Sequence, residues 1–262
     1  NAAVEFLRTR DRQKPFLLYS PFTSPHDPRT APKRFADMYR WSAIPTPPNF
    51  MPQHPFDNGD LKVRDEMLCS HPRVADDVRV HIADYYAMVT AVDHEIGRIV
   101  DAVDASGEAD NTYIVFAGDN GLAVGQHGLF GKQNLYDHSW RVPLVISGPG
   151  LPRGRRVDSL TYLMDICPTI CDLAAIAAPK DADGKSLKPV MLGKQKELRD
   201  HALFIAYAPA EQPTIALAVL VENGGFGAQS AAPIARQVLD YWLLGKLPKE
   251  AAPEIEEAGE DD

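Results

Sequence analysis

The sequence is short of cysteine, of long apolar runs and of net positive charge, and each shortage closes off a class of protein. Three cysteines, Cys69, Cys167 and Cys171, do not make a disulfide framework. Cys167 and Cys171 stand four apart, a helical spacing, and read as small buried apolar groups rather than metal ligands. No apolar run approaches the roughly 20 residues of a membrane span, and there is no internal repeat or signal-peptide pattern. The leading Asn1 reads as the start of a fragment, so location stays open between bacterial periplasm and cytoplasm. With 27 Lys and Arg against 36 Asp and Glu, the formal charge is -9 and no nucleic-acid partner is expected. The imbalance is local. Glu250, Glu254, Glu256, Glu257, Glu260, Asp261 and Asp262 fall where there is no Lys or Arg, and without those seven acids 27 positive charges face 29 negative. Residues 249–262 therefore read as an acidic, disordered tail on a nearly neutral body.

What remains is globular in composition, 45% hydrophobic and 24% charged. Ile82, Tyr85, Val89, Val92, Ile96, Ile99 and Val103 recur every three or four residues and predict an amphipathic helix over 77–104 that ends near Gly107. Strand-like runs lie at 16–20, 112–117 and 142–147, and a second helix is expected over 163–176, with Asp165 read as its N-terminal cap. The stretch 21–75 holds Pro45, Pro47, Pro48, Pro52, Pro55 and Pro72 and reads as a long surface excursion, the kind of loop that serves a site. Alternating strand and helix signals imply an α/β fold with a mainly parallel sheet flanked by helices. After about Gly193 the composition changes. Residues 202–208 and 214–222 read as a hairpin, 223–227 as a flexible turn and 231–244 as a helix, an appended β-hairpin plus helix.

Chemistry concentrates at the ends of the apolar runs. Asp119 and Asn120 follow Tyr113-Ile-Val-Phe-Ala-Gly and offer one carboxylate and one amide oxygen, a mixture suited to Ca²⁺ or Mg²⁺ better than to zinc. The bland alternative is an Asp-Asn-Gly turn that satisfies loop backbone. His26, in Pro25-His-Asp-Pro28, is held on stiff chain and suits an anionic oxygen or a proton transfer; it is equally an ordinary loop histidine. Lys132, after Gly131, suits a developing negative charge or a bound sulfate or phosphate, and is equally a surface lysine. His127, in Gly125-Gln-His-Gly128, and His138 are weaker candidates, His127 for substrate contact.

Read in series, these segments are specific. Lys14-Pro-Phe-Leu-Leu-Tyr-Ser, Pro25-His-Asp-Pro, Ala117-Gly-Asp-Asn-Gly and Gly125-Gln-His-Gly-Leu-Phe-Gly-Lys-Gln-Asn-Leu-Tyr resemble the later part of the sulfatase family, of the alkaline-phosphatase-like fold. Arg141-Val-Pro-Leu-Val-Ile, Gly148-Pro-Gly, Asp165-Ile-Cys-Pro-Thr and Asp183-Gly-Lys-Ser-Leu extend the resemblance over residues 1–195. It implies that Asp119 and Asn120 bind Ca²⁺, that His26 and Lys132 contact the sulfate group, and that Lys132 assists the leaving ester oxygen. A sulfated small molecule or glycan is the implied substrate.

The departures matter as much. The family's nucleophile is a formylglycine made from Cys or Ser in C/S-x-P-x-R, accompanied by an early pair of aspartates on the metal, and neither is recognisable. Cys69-Ser-His-Pro-Arg73 has Arg at the right offset but Pro one place late, and it falls after the His26 element, where the nucleophile does not belong. Without that group the covalent step is lost and half the metal shell is absent. Arg199-Asp-His-Ala-Leu-Phe-Ile-Ala-Tyr-Ala-Pro, Ile215-Ala-Leu-Ala-Val-Leu-Val-Glu-Asn-Gly-Gly and Ala231-Ala-Pro-Ile-Ala-Arg resemble instead the last hairpin and helix of the transpeptidase domain in elongation-type penicillin-binding proteins, over about 196–248. The Ser-x-x-Lys, Ser-x-Asn and Lys-Thr-Gly motifs of that family do not occur, so no acyl-serine chemistry is assigned. The expectation is a chimera: a sulfatase-family piece of impaired, metal-dependent sulfuric ester hydrolase activity joined near 193–200 to a foreign segment. The alternatives are a phosphate or phosphonate hydrolase of the same superfamily and an inert anion- or metal-binding module.

Overall fold

The structure is a computed structural model that describes residues 2–194, 202–221 and 227–246. The chain divides into two compact units, Asn1–Leu151 and Pro152–Asp262. The first is organised by one long helix. Helix α1 (Ala2–Thr9) and the single turn α2 (Lys33–Ala36) both pack on helix α3 (Ala75–Ser106). Asp76 and Asp77 place negative charge in the first turn of α3, where the helix dipole favours it, and Gly107 ends the helix at φ 78°, a left-handed conformation that suits glycine. The predicted span is thus extended by two residues at each end. Its buried face is drawn differently from the expected stripe: Val78, Ile82, Ala83, Ala87, Met88 and Val103 are buried, whereas Val89 is exposed. Small alanines admit close neighbours, which the larger apolar residues of the stripe do not.

The core lies where α3 meets two irregular segments. Ile44 and Cys69 from the proline-rich excursion, Val78, Ile82 and Ala83 from α3, and Val124 and Phe130 from a later loop form one cluster, edged by Tyr39, Phe50, Leu68 and Leu122. Phe130 and Val78 are essentially sealed from water, each such burial stabilising by about 1.5–3 kcal/mol. The excursion is therefore anchored rather than loose.

Strands β1 (Ile114–Ala117) and β2 (Leu144–Ser147) are shorter than expected and pair antiparallel, with Ile114 opposite Ser147 and Ala117 opposite Leu144. Phe116 and Val145 are exposed. The run 16–20 forms no strand among the described residues. Both ladders among the described residues are antiparallel, which corrects the expected parallel pairing. The reason is in the connection. A parallel pair needs a crossover, usually a helix; here residues 118–143 fold back on themselves through nested bonds from Gly118 N–H to Pro143 O (3.1 Å), Gly121 to Ser139 (3.0 Å), Ala123 to Gly131 (2.9 Å) and Gly125 to Leu129 (2.8 Å). The only helix in this stretch is the four-residue α4 (Asp137–Trp140). The α/β class itself stands.

In the second unit a 3-10 turn, Leu163–Asp165, runs into α5 (Ile166–Leu173), followed by α6 (Lys188–Met191). Asp165 holds the expected N-cap position of α5, but its side chain makes no cap bond there and instead closes the preceding 3-10 turn on Tyr162. Its buried carboxylate accepts the N–H groups of Tyr162 and Lys185, each at 2.8 Å. A Cβ on Gly184 would lie 2.1 Å from the Met164 carbonyl, so glycine is required for this approach. Leu187 N–H bonds Thr169 Oγ1 at 2.8 Å, while Ser186 and Lys188 hold Asp172, whose carboxyl sits below its ordinary value through the Ser186 hydrogen bond first and Lys188 second. The motifs beginning at Asp165 and Asp183 are thus each other's partners and serve structure. Because α5 buries Pro168, Thr169 and Leu173, Cys167 and Cys171 share the opposite face: Cys167 is exposed and Cys171 half-buried, against expectation.

Strands β3 (Ala202–Ala208) and β4 (Ile215–Val221) form the expected hairpin, and helix α7 (Gly227–Leu244) packs on it. Ala231 and Ala235 are fully buried, small residues that let the helix approach closely. The expected turn at 223–227 falls almost wholly outside the described residues, as does the tail at 249–262. No helix among the described residues is long and apolar enough to cross a membrane.

Candidate active site

Five of the six candidates, all but His26, lie on the nested loop between β1 and β2. Asp119 and Asn120 leave the end of β1 as exposed side chains, and Asp119 Oδ1 accepts the Asn120 N–H at 2.9 Å. A Cβ on Gly121 would lie 1.9 Å from the His138 carbonyl, so the pair is pressed against the far arm of the loop only because residue 121 has no side chain. From that arm His138, Tyr136 and His127 stack. His127 and Tyr136 are nearly parallel at 4.1 Å and 10°, and Tyr136 and His138 lie at 5.5 Å and 29°. Burial, then the neighbouring His127, pushes His138 below the ordinary histidine value.

His127 adopts φ 53°, a left-handed conformation uncommon for a residue with a side chain. The strain, on the order of 1–3 kcal/mol, is held by three bonds: His127 N–H to Asn49 O (2.8 Å), Asn49 Nδ2 with His127 Nε2 (2.9 Å), and His54 Nδ1 to His127 O (2.8 Å). The excursion supplies both partners, Asn49 and His54, which sequence alone did not single out.

Lys132 stands half-buried on the same loop, and its ammonium makes no ion pair among the described residues. Its backbone is fixed from below. Gly131 N–H and Phe130 N–H donate to Glu66 Oε1 (2.7 Å) and Oε2 (2.9 Å), and a Cβ on Gly131 would lie 2.7 Å from that same Oε1. Glu66 in turn is paired with Arg73 at 2.5 Å, both side chains buried. Arg73 also donates to the carbonyls of Gly128 (3.1 Å), Glu66 (2.9 Å) and Cys69. These contacts decide the Cys69-Ser-His-Pro-Arg73 question. Burial pushes the Cys69 thiol up, away from the reactive thiolate, and Arg73 is committed to holding loops together.

His26 is exposed, its Nδ1 3.0 Å from the Asp27 carbonyl and 3.4 Å from Asp27 Oδ1. Asp27 is bound by Arg64 in a two-point contact, Nη1 to Oδ2 at 2.6 Å and Nη2 to Oδ1 at 3.2 Å. Burial raises the Asp27 carboxyl, but Arg64, through hydrogen bond and charge, outweighs it and the group sits below its ordinary value. Arg64 Nη2 also reaches Asp65 Oδ1 at 2.8 Å, Asp65 Oδ2 accepts Gln133 Nε2 at 3.2 Å, and Gln133 Oε1 accepts the Lys132 N–H at 3.1 Å. A continuous polar chain therefore runs from the residue beside His26 to the backbone of Lys132.

Asp119 and Asn120 suit a hard cation in kind, being oxygen donors at a strand end, but two ligands fall short of the six to eight that Ca²⁺ takes. Among the described residues no group of three His, Cys, Asp or Glu gathers to complete such a site.

The fold defines the class first. A solved structure of a protein in complex with its substrate D-glucosamine-2-N,6-O-disulfate superposes on 85% of this chain and 58% of its own, with TM-score 0.65 and 25% identity. Phosphonate monoester hydrolase of Agrobacterium radiobacter covers 92% of this chain and 58% of its own at TM-score 0.66 and 23% identity, a likeness of fold. Both place the protein in the alkaline-phosphatase-like architecture. Residues 1–176 match the sulfatase family, and the arylsulfatase of Clostridium perfringens (strain 13 / Type A) is 32% identical over 207 residues, 77% of this chain. The chain belongs to the sulfatase family. It spans 42% of that relative's length, about two fifths. Residues 188–240 match the penicillin binding protein transpeptidase domain.

Proposed function

We propose that residues 1–195 are the metal- and sulfate-holding part of a sulfuric ester hydrolase. Asp119 and Asn120 supply part of a Ca²⁺ or Mg²⁺ shell, His26 and Lys132 hold the sulfate group, and His127 contacts the organic part of a sulfated small molecule or glycan. The observation that carries this reading is one of placement. A single folded-back loop bears Asp119, Asn120, His127 and Lys132, and the His26 loop is tied to it through Asp27, Arg64, Asp65 and Gln133. A bound metal would draw charge from the sulfate oxygens. The chain's own contribution is to orient the anion: the Lys132 ammonium faces charge growing on the leaving oxygen, and the His26 imidazole donates to, or exchanges a proton with, a sulfate oxygen.

No C/S-x-P-x-R run occurs in the 262 residues, so the chain by itself is expected to bind sulfate and calcium without turning over an aryl sulfate. The purified protein is assayed with an aryl sulfate and titrated with calcium, alongside Asp119→Ala and Lys132→Ala. Turnover abolished by Lys132→Ala would overturn the claim of lost activity, and equal calcium binding by the parent and Asp119→Ala would remove Asp119 from the site. The phosphonate hydrolase reading is kept as the alternative because its fold is shared and a metal, a histidine and a lysine serve either tetrahedral anion.

A further inference from the structure

We infer that Arg64, Asp65 and Glu66 form a positioning strap that fixes the distance between the His26 and Lys132 arms of the site, with Arg64 acting through His26 and Asp65 through Lys132. The inference rests on the reading of the site given above. Three consecutive residues reach three different places. Arg64 grips both oxygens of Asp27, the neighbour of His26. Asp65 holds Gln133, whose side chain in turn holds the Lys132 N–H. Glu66 takes the N–H groups of Phe130 and Gly131, immediately before Lys132.

Glu66 opens the 3-10 turn Glu66–Leu68, Asp65 is its N-cap residue and Arg64 stands just before it, and the three adjacent side chains reach separate loops. The turn itself is held from the inside. Arg73 is fully buried, donates to the carbonyls of Glu66 and Cys69 and pairs with the Glu66 carboxylate, while its own N–H bonds Pro52 O at 2.7 Å. The strap is therefore rigid at Glu66 and wet at Arg64, whose side chain is 62% exposed. An exposed ion pair contributes little to global stability. A two-point grip on a carboxylate does fix orientation. None of the three residues needs to touch the anion for this role.

The test uses the full chain with calcium present and inorganic sulfate as the probe, binding being followed by NMR titration. His26→Ala and Lys132→Ala establish the site. Arg64→Ala is expected to weaken sulfate binding roughly tenfold, the scale of one lost charge-assisted contact, with an unchanged melting temperature, and Arg64→Lys to recover part of the loss. Introduced into His26→Ala, Arg64→Ala should produce no further loss. Asp65→Asn should likewise weaken binding alone and add nothing to Lys132→Ala. A role in folding alone would lower the melting temperature and leave the losses additive. If Arg64→Ala and Asp65→Asn leave binding unchanged, or their losses simply add to those of His26→Ala and Lys132→Ala, the strap is refuted while the site stands. If His26→Ala and Lys132→Ala themselves leave sulfate binding unchanged, the site reading fails and the strap falls with it.

Discussion

Glu66 and Arg73 bury opposite charges at 4% and 2% exposure, and every oxygen or nitrogen of theirs that points inward finds a partner. Removing one member leaves the other uncompensated in a low-dielectric interior, which typically costs about 3–5 kcal/mol. Glu66→Ala should therefore lower the unfolding free energy read from a urea titration by that much, a larger loss than any exposed pair of this protein would give. Histidine 81 sets a different sensitivity. Its Nδ1 accepts from Arg29 at 2.7 Å and its ring packs edge-on against Phe130 at 5.0 Å. Burial first, then Arg29 and more weakly Arg73, push it below the ordinary value, while Asp84 and Asp77 pull the other way. The unfolded chain thus takes up the proton before the folded one as pH falls. The stability that the neutral ring contributes is complete above about pH 6.5 and is lost as pH drops below it. Melting temperatures between about pH 7.5 and pH 5 should fall, and His81→Gln should flatten that slope.

Among the elements, α3 was legible because its period survives any packing, and Gly107 marked its end. Two glycines show how far local sequence reaches. At Gly107 an added Cβ meets nothing within 4 Å, so Gly107→Ala should cost only the left-handed strain, about 1 kcal/mol. At Gly121 the same methyl would collide with the His138 carbonyl, and Gly121→Ala should cost more and move the Asp119 arm. Unfolding curves for the two variants, with backbone amide shifts of Asp119 and Asn120, separate these outcomes. The strands were less legible. β1 and β2 were located by composition, but composition does not state direction, and the nested bonds that close residues 118–143 into an antiparallel return are long-range. Cys167 and Cys171 illustrate the same point, since their spacing is right for one helix face and cannot say which face is buried.

At the scale of the whole molecule, a ligand that binds only the folded state raises stability by mass action, about 2.7 kcal/mol at a hundred times its dissociation constant. Calcium should accordingly raise the melting temperature of the parent protein, and the shift should vanish in Asp119→Ala. The resemblance to sulfatases over the first part of the chain and to a transpeptidase domain over the last was readable because short motifs keep their order, and both family matches follow it. The residues proposed for the site, His26, Asp119, Asn120, His127 and Lys132, were singled out as residue types at strand or loop ends. The strap residues and the Glu66–Arg73 pair were not, because they sit in a proline-rich stretch with no period and reach distant segments: Asp27 is 37 residues from Arg64, Gln133 is 68 from Asp65, and Phe130 and Gly131 are 64 and 65 from Glu66. Sequence by itself determined the helix α3, the hairpin of β3 and β4 and the family, since each depends on short-range pattern or on the order of short motifs. Tertiary structure alone decided the antiparallel return of β2, the burial of Arg73 and the link between the two arms of the site. Those follow from contacts between distant segments, whose free energy no local pattern encodes.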